Sequence, residues 1–539
     1  MRPRDLNRLA SRSYDVLVIG GGVHGLTCAY EAASRGLSVA LVEAGDFGSG
    51  ISFNHQKTAH GGLRSLQSLS VGRARASIRE RRALARIAPW LLRPLPFLTG
   101  TYRSLTRGRL ALRAGFALDQ RISRNRNQGL EPELHLPRPR LLSRTATMKL
   151  FPGIREQGLT GGAQWYDYQM VENDRLTFAF AAAADRAGAE LANHAPATSV
   201  IKAGSKIAGV RISDSLTGGG FDITAEVIVN AAGAAAGSVL GMFGGSRRFP
   251  LLKAMNLVTS KRASDIALAA AGPDGRMLTL VPWRGRAIVG TSQSAQATTT
   301  AVEDRVESSE VAEFVRQANH AFPALQLTPD DITLIHRGWV PAVDRGGTAA
   351  LLSESEIVDH ASEGVDRVVT IVGAKYTTAR GTAERAVNLI ARKLGKRVAR
   401  SRTAHTILPA AGIADHEALA IEHARRLNCE VPLPVIRHLI TRYAETAPSV
   451  IEIIAAQPET GAPLSVDTPT IGAEVIHVIR AESALRLSDI VLRRTTVGAA
   501  GHPGAGTLQA SAAIAARELE WSPERTREEL ADVERVYER

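Results

Sequence analysis

Between Tyr14 and Glu43 the chain spells out a nucleotide-binding unit. A short apolar run, Val16-Leu17-Val18-Ile19, ends in Gly20-Gly21-Gly22-Val23-His24-Gly25. Small residues in a helical pattern follow, then a second apolar run, Val39-Ala40-Leu41-Val42, that ends on Glu43 and Ala44. The order is strand, glycine turn, helix, strand, acid. Gly20 makes the tight turn, Gly22 admits a pyrophosphate to the backbone, and Gly25 lets the helix pack closely on the strand. The helix N-terminus, with Val23 and His24 in its turn, attracts phosphate charge. Glu43, about 20 residues further on, is spaced to accept hydrogen bonds from a ribose. The unit specifies a dinucleotide and leaves its kind open.

The chain has 539 residues, enough for two or more domains with large cores. Its 44% hydrophobic and 22% charged residues exclude a disordered chain. No apolar run reaches the ~18 residues of a spanning helix. The basic N-terminus, Met-Arg-Pro-Arg-Asp-Leu-Asn-Arg, has no apolar stretch behind it, so no cleaved signal peptide is expected. Two cysteines, Cys28 and Cys429, exclude a disulfide framework and a cysteine-rich metal or iron–sulfur site. No metal is expected, a cytoplasmic protein fits, and Cys28 reads as a small core residue.

The net charge of +13 is concentrated. Arg73 to Arg144 holds 17 arginines, no lysine and four acids, so the rest of the chain is neutral in sum. Arginines alternate there with apolar residues, as in Trp90 to Leu98 and Leu110 to Leu118. Three readings compete: a cationic surface lying on an anionic bilayer, a nucleic-acid stripe, or core helices with solvated arginines. Few aromatics and no reading motif put nucleic acid last, and no nucleic-acid partner is expected.

The pattern predicts an α/β chain: a Rossmann-type dinucleotide domain, a mixed-sheet substrate domain and a C-terminal helical domain. Residues 1–405 interleave the first two, with a basic, mostly helical insertion over about 73–149 and the substrate part over about 246–350. Residues 406–539 form the helical domain. Ile207–Ile212 and Phe221–Ile228 predict a hairpin turning at Gly218-Gly219-Gly220. Val227 to Gly233 predicts a strand of the nucleotide sheet that ends in small residues, including Ala231, and Val368 to Val372 predicts a later strand that ends in Gly373. A helix over Thr382–Leu394 follows. Ser522-Pro523 marks the start of a last helix.

A flavin is favoured over a nicotinamide. The unit opens the chain, a Gly/Ser-rich loop follows Glu43 directly, and later strands end in Gly233 and Gly373, where backbone can lie against a tricyclic ring. No second glycine fingerprint offers an NADPH site, so the electrons leave to a quinone or to oxygen.

Four segments carry a specific resemblance: the glycine turn, Lys57-Thr58-Ala59-His60-Gly61-Gly62-Leu63-Arg64, Val281-Pro282-Trp283-Arg284-Gly285-Arg286, and Gly373-Ala374-Lys375-Tyr376-Thr377-Thr378-Ala379-Arg380. With the helical C-terminus they make nearly the whole chain resemble the FAD-dependent glycerol-3-phosphate dehydrogenases. The resemblance implies a peripheral membrane flavoenzyme on the inner face of the cytoplasmic membrane. It would oxidise the C2 hydroxyl of sn-glycerol 3-phosphate to dihydroxyacetone phosphate and pass electrons to quinone.

It also implies roles. Arg64 matches a substrate-binding arginine. Lys375 matches the active-site lysine, which binds substrate or polarises the alcohol. His60 is open between base, flavin contact and structural residue. Gly61, Gly62, Tyr376 and Thr377 would touch the flavin, while Arg284 and Arg286 also read as hairpin flanks. The substrate half departs from the family. Ser65 stands where tyrosine is common. Val340 stands where the Gly-Val-Arg-Pro element has its arginine, in Gly338-Trp339-Val340-Pro341. Asn256 replaces a histidine, and Gly290-Thr291-Ser292-Gln293 replaces Gly-Thr-Thr-Asp. Arg337, Arg345 or Arg380 would have to supply the missing charge. Otherwise the substrate is another polyol phosphate, hydroxy acid or amine, or the chain is a non-catalytic flavin-containing membrane-associated protein.

Overall fold

A computed structural model describes residues 1–62, 70–103, 108–301, 305–344, 346, 348–409, 416–466 and 468–538. The opening unit folds as read: β1 (Ser13–Ile19), α1 (Val23–Ser34) and β2 (Val39–Val42). Helix α2 (Asn173–Arg186) leads to β3 (Glu190–Ala192). The glycine-ended segments form β4 (Gly220–Asn230) and β5 (Val368–Val372), and α3 (Ala379–Lys393) follows. The strand order β5-β4-β1-β2-β3 is parallel throughout, with Glu356–Asp359 antiparallel at the β5 edge.

A parallel sheet is covered on both faces, and β1 shows how its sequence meets this. Val16 and Val18 enter one core while Leu17 and Ile19 enter the other. Helix α1 packs against both α2 and α3. Its small residues, Cys28, Ala29 and Ala32, are fully buried there. Burial pushes the Cys28 thiol up to about 12, which keeps it an inert core group.

The second sheet has ten strands and is mixed. Leu251–Thr259, Met277–Trp283, Arg286–Gln293 and Ile332–Asp344 come from the expected substrate region. Leu92–Tyr102 and Leu159–Met170 join them from outside it. The basic insertion holds the helices Val71–Ile87, Arg109–Ile122 and Arg144–Leu150, but its apolar run at Leu92–Tyr102 is an eleven-residue strand. Pro94 and Pro96 explain this. Two prolines in three residues forbid a helix, and both lie before Phe97, where pairing with Ala267–Ala271 begins, so their missing N–H groups face no neighbour.

Many arginines of this stretch brace the fold. Arg93 Nε donates to Gln169 at 2.8 Å, Arg109 to Leu142 O at 2.6 Å and Arg140 to Gln164 at 2.7 Å. Arg75, Arg79, Arg113, Arg121 and Arg124 are exposed. The C-terminal domain is helical as expected, from His416–Arg426 to Pro523–Tyr537, with Ser522 Oγ accepting from Arg525 N–H at 3.1 Å. Among the described residues no helix is long and apolar enough to cross a membrane.

Arg380 does not reach substrate space. Its guanidinium is buried and forks onto Glu80 of the helix Val71–Ile87, with Nε–Oε2 at 2.7 Å and Nη2–Oε1 at 2.8 Å. A third contact, to Glu384, lies at 2.9 Å. The acids at positions 80 and 384, invisible beside the motif, decide where this arginine points. Removing one partner of a buried pair leaves an uncompensated charge. Glu80→Gln should therefore lower the unfolding free energy by about 3 kcal/mol in urea denaturation.

Candidate functional site

A cavity of about 1850 Å³ opens at the carboxyl ends of β1, β2, β4 and β5 and is closed by the second sheet. It exceeds the ~300–1,000 Å³ of an ordinary small-molecule pocket, leaving room for a dinucleotide and a second ligand. Ligands of open α/β sheets bind at this strand end.

The dinucleotide half is built from glycine and main chain. Gly20, Gly22, Val23 and His24 line the cavity, as do Glu43, Ala44, Gly62, Ala231, Gly233, Gly373, Tyr376 and Thr377. Gly25 lies behind the turn: a Cβ there would sit inside the van der Waals shell of the Gly20 carbonyl oxygen. Gly20 itself has φ +111°. The N-cap residue of α1, Gly22, has no side chain to cap the helix start, and one of the first N–H groups, that of Val23, is donated to Ser52 Oγ at 2.9 Å. Glu43 accepts from Gly21 N–H at 2.5 Å and Gly45 N–H at 2.8 Å. A carboxylate has about four acceptor sites, so two remain for a ribose. Burial pushes its carboxyl above the usual range, against those two bonds. These residues fit FAD: a helix start with a glycine N-cap for the pyrophosphate, a carboxylate for the ribose, and strand ends bare of side chains for the ring.

On the other side Lys375, His60 and Arg337 also line the cavity. Lys375 is the N-cap of the short turn Tyr376–Thr378 that follows β5. His60 is half exposed into the cavity, with Nδ1 3.2 Å from Asp167 Oδ2 and Nε2 2.8 Å from Thr58 Oγ1. Asp167 is buried and also accepts from Gly61 N–H at 2.7 Å and from Arg81. Burial works against its charge, yet Arg81, His60 and Gly61 together hold the carboxyl below the usual range. Gly61 thus serves the acid rather than the cavity wall. Sequence reading missed Asp167, although a single acid inside the aromatic run Trp165-Tyr166-Asp167-Tyr168 was a signal that something pairs with it.

Val340 and Asn256 both line the cavity, and Asn256 Oδ1 accepts from Thr291 Oγ1 at 2.8 Å. Arg337 lines this cavity and a neighbouring one of about 540 Å³ beside the C-terminal domain. Arg284 is taken up by Glu172 at 2.6 Å and Asp174 at 3.3 Å, so it braces its hairpin. Arg64, Ser65 and Arg345 lie outside the described residues.

Behind the flavin half sits a second group the sequence did not announce. His55 Nε2 lies 2.8 Å from Asn173 Oδ1, and Nδ1 accepts from Lys57 N–H at 3.0 Å. Its ring lies 5.2 Å from that of Tyr376, whose hydroxyl is 2.9 Å from Thr177 Oγ1. Lys57 is wholly buried against the Phe53 and Trp283 rings, at 4.2 and 5.1 Å, and burial draws it down to about 7.

Two outcomes follow from this geometry. Gly25→Ala should yield protein without bound flavin, read from the absorbance of the purified protein. One imidazole nitrogen of His55 accepts and the other donates, so the fold holds the neutral ring. Burial, then the neighbouring Lys57, draws it from 6.5 to about 3. The stability it contributes is complete above pH 6.5 and is lost as pH falls from there toward about 3. His55→Gln, which keeps a donor and an acceptor, should flatten the urea stability curve in that window.

Comparison with known proteins agrees with the geometry. The FAD dependent oxidoreductase family matches residues 15–389, and the C-terminal domain of alpha-glycerophosphate oxidase matches residues 367–526. The glycerol-3-phosphate dehydrogenase of Mycobacterium leprae is 31% identical over 535 residues, covering 97% of this chain and 88% of that protein. That of Synechocystis sp. is 29% identical over 514 residues, covering 92% and 90%. The structure of glycerol-3-phosphate dehydrogenase from Bacillus halodurans complexed with FAD superposes with a TM-score of 0.76 at 22% identity, covering 99% of this chain and 96% of that one. The chain is an FAD-binding oxidoreductase and belongs to the FAD-dependent glycerol-3-phosphate dehydrogenase family.

Proposed function

We propose that this protein oxidises sn-glycerol 3-phosphate at C2 to dihydroxyacetone phosphate and delivers the electrons to a quinone. The observation that carries the reading is the convergence of His60, backed by Asp167, and Lys375 on the cavity that the glycine cradle opens. Bound FAD supplies the hydride acceptor. His60 takes the hydroxyl proton at Nε2 by way of the Thr58 hydroxyl 2.8 Å away, which lines the cavity and passes its own proton on as it accepts the substrate's. Buried Asp167 holds the ring at Nδ1 and balances the charge that forms. Lys375 lines the same cavity, two residues from Thr377, whose Oγ1 accepts from His60 N–H at 3.1 Å, and is an ammonium suited to the alkoxide or to phosphate. Arg337 is the cation we assign to the phosphate in place of Val340, with Arg64 as its partner from the motif.

The quinone part rests on a lobe of the same cavity walled by Phe97, Tyr102, Phe116 and Trp165. It lies beside the helix Arg109–Ile122, whose Leu110 is 84% exposed among arginines. Such a helix suits docking on an anionic bilayer, where quinones reside. Flotation with anionic vesicles tests this, and a protein that stays at the bottom of the gradient refutes the membrane part.

A second reading is favoured by Val340 and Asn256, which leave that wall of the cavity uncharged. It takes another polyol phosphate, a hydroxy acid or an amine as substrate. Anaerobic reduction of the flavin separates the readings. Glycerol 3-phosphate should bleach the flavin band within seconds, and bleaching only by another member of a substrate panel would select the alternative. His60→Gln and Lys375→Ala should each slow the reduction by about 10²–10⁴. Asp167→Asn should slow it by about 10² with the substrate dependence unchanged. A full rate in all three variants would refute this catalytic assignment, and no bleaching by any substrate would favour a non-catalytic flavoprotein.

A further inference from the structure

Two loops line the cavity at the end where Glu43 lies. Residues 43–46 follow β2 and carry Glu43 and Ala44. Residues 193–197 follow β3 and carry Pro196 and Ala197. Both loops are held by side chains that do not touch the cavity. Asp46 Oδ2 accepts from Arg493 Nε at 2.7 Å and Arg494 Nη1 at 3.0 Å, and Oδ1 accepts from Arg494 Nη2 at 2.8 Å. Asn193 Nδ2 joins the loops to each other and to the C-terminal domain, donating to Asp46 Oδ1 at 3.1 Å and Ser483 O at 2.8 Å. His194 Nε2 is 2.8 Å from Asp489 Oδ2, while its own N–H donates to Gly45 O at 2.7 Å. Gly48 N–H donates to Gly21 O at 2.9 Å, which ties the first loop to the glycine turn.

The C-terminal side of this contact has an unusual backbone. Consecutive residues of an α-helix do not face one partner, yet Arg493 and Arg494 both reach Asp46. They do so from a π-helical turn, Asp489–Arg494. Such wide turns are rare and recur at functional positions. Asp46 and Arg494 are each 1% exposed. Asp46, His194 and Asp489 offer three ligand atoms within 4.8 Å of one another. Arg493 bonds both carboxylates and Arg494 bonds Asp46, so the site is already neutralised and repels a metal ion.

We propose that Asp46 is a positioning residue for FAD, and that the C-terminal domain is a clamp. Docking of Arg493 and Arg494 onto Asp46 fixes the two loops that frame the adenosine end. FAD binding and domain docking are therefore coupled, and the coupling is reciprocal: whatever loosens the clamp weakens FAD, and FAD tightens the clamp.

The test uses the full-length holoenzyme. In Asp46→Asn the fork loses its charge while shape is kept. FAD should leave the folded protein at least tenfold faster, read from the rise in flavin fluorescence well below the melting temperature. Glu172→Gln is the control. It breaks part-buried contacts in the seam between the start of α2 and the C-terminal domain, to Arg442 at 2.8 Å, and beside it to Arg284 at 2.6 Å, neither of them made by the two loops. It should lower the melting temperature with FAD release as in the parent. Equal FAD release in Asp46→Asn and the parent overturns the proposal, as does equal acceleration in both variants, since the seam then acts only through stability. If Asp46→Asn does not fold, Arg494→Lys, which keeps the charge and loses the fork, replaces it. Its FAD release should rise severalfold, and release at the parent rate overturns the proposal.

Discussion

The contact between Gly25 and the Gly20 carbonyl governs this molecule. With no Cβ at position 25, α1 lies close enough to β1 for its first turn to meet whatever rests on the strand end. That closeness makes the helix start, rather than any side chain, the recognition element for a pyrophosphate. It also sets the shape of what surrounds it. Small residues along α1 let α2 and α3 crowd in, and β4, beside β1, and β5, beyond it, each run into small residues at their carboxyl ends. A cofactor met by backbone leaves the side chains free for chemistry elsewhere in the cavity.

The other organising feature is charge where a core is usually apolar. Glu172, Asp174, Arg175, Glu482 and Arg442 join Asp46 and Arg494 in a buried seam between the first sheet's domain and the C-terminal helices. Such pairs add little net stability over apolar packing, but they penalise any misplacement severely. A seam of this kind selects one relative position of its two sides. An enzyme that must hold a large cofactor between loops gains more from a unique arrangement than from a merely adhesive one.

The parts of this architecture that were legible in the sequence share a trait: their cause is local. Gly20 to Gly25, the glycine-ended strands and Ser522-Pro523 each announce themselves within a few residues, because a turn, a strand end or a cap is decided by its neighbours. Arg380 was misread because its partner, Glu80, lies 300 residues away. Leu92–Tyr102 was misread because arginines at alternate apolar intervals suit either a helix face or a strand. The deciding signal was a pair of prolines, not the charges. Asp167 and Asp46 were passed over since an isolated acid in sequence carries no mark of the histidine or arginines it will meet.

The strand order has a consequence for how the protein is made. β1 leaves the ribosome first, yet its neighbour β4 and the strand beyond, β5, are encoded far downstream. The cavity wall at Gly373 to Thr377 is added later still. During synthesis the fingerprint must therefore wait, unpaired on one side, until Asn230 of the 539 residues has emerged. Non-local pairing of this kind is slow and leaves strand edges exposed meanwhile. A complete cradle for the cofactor exists only once Thr377 has emerged.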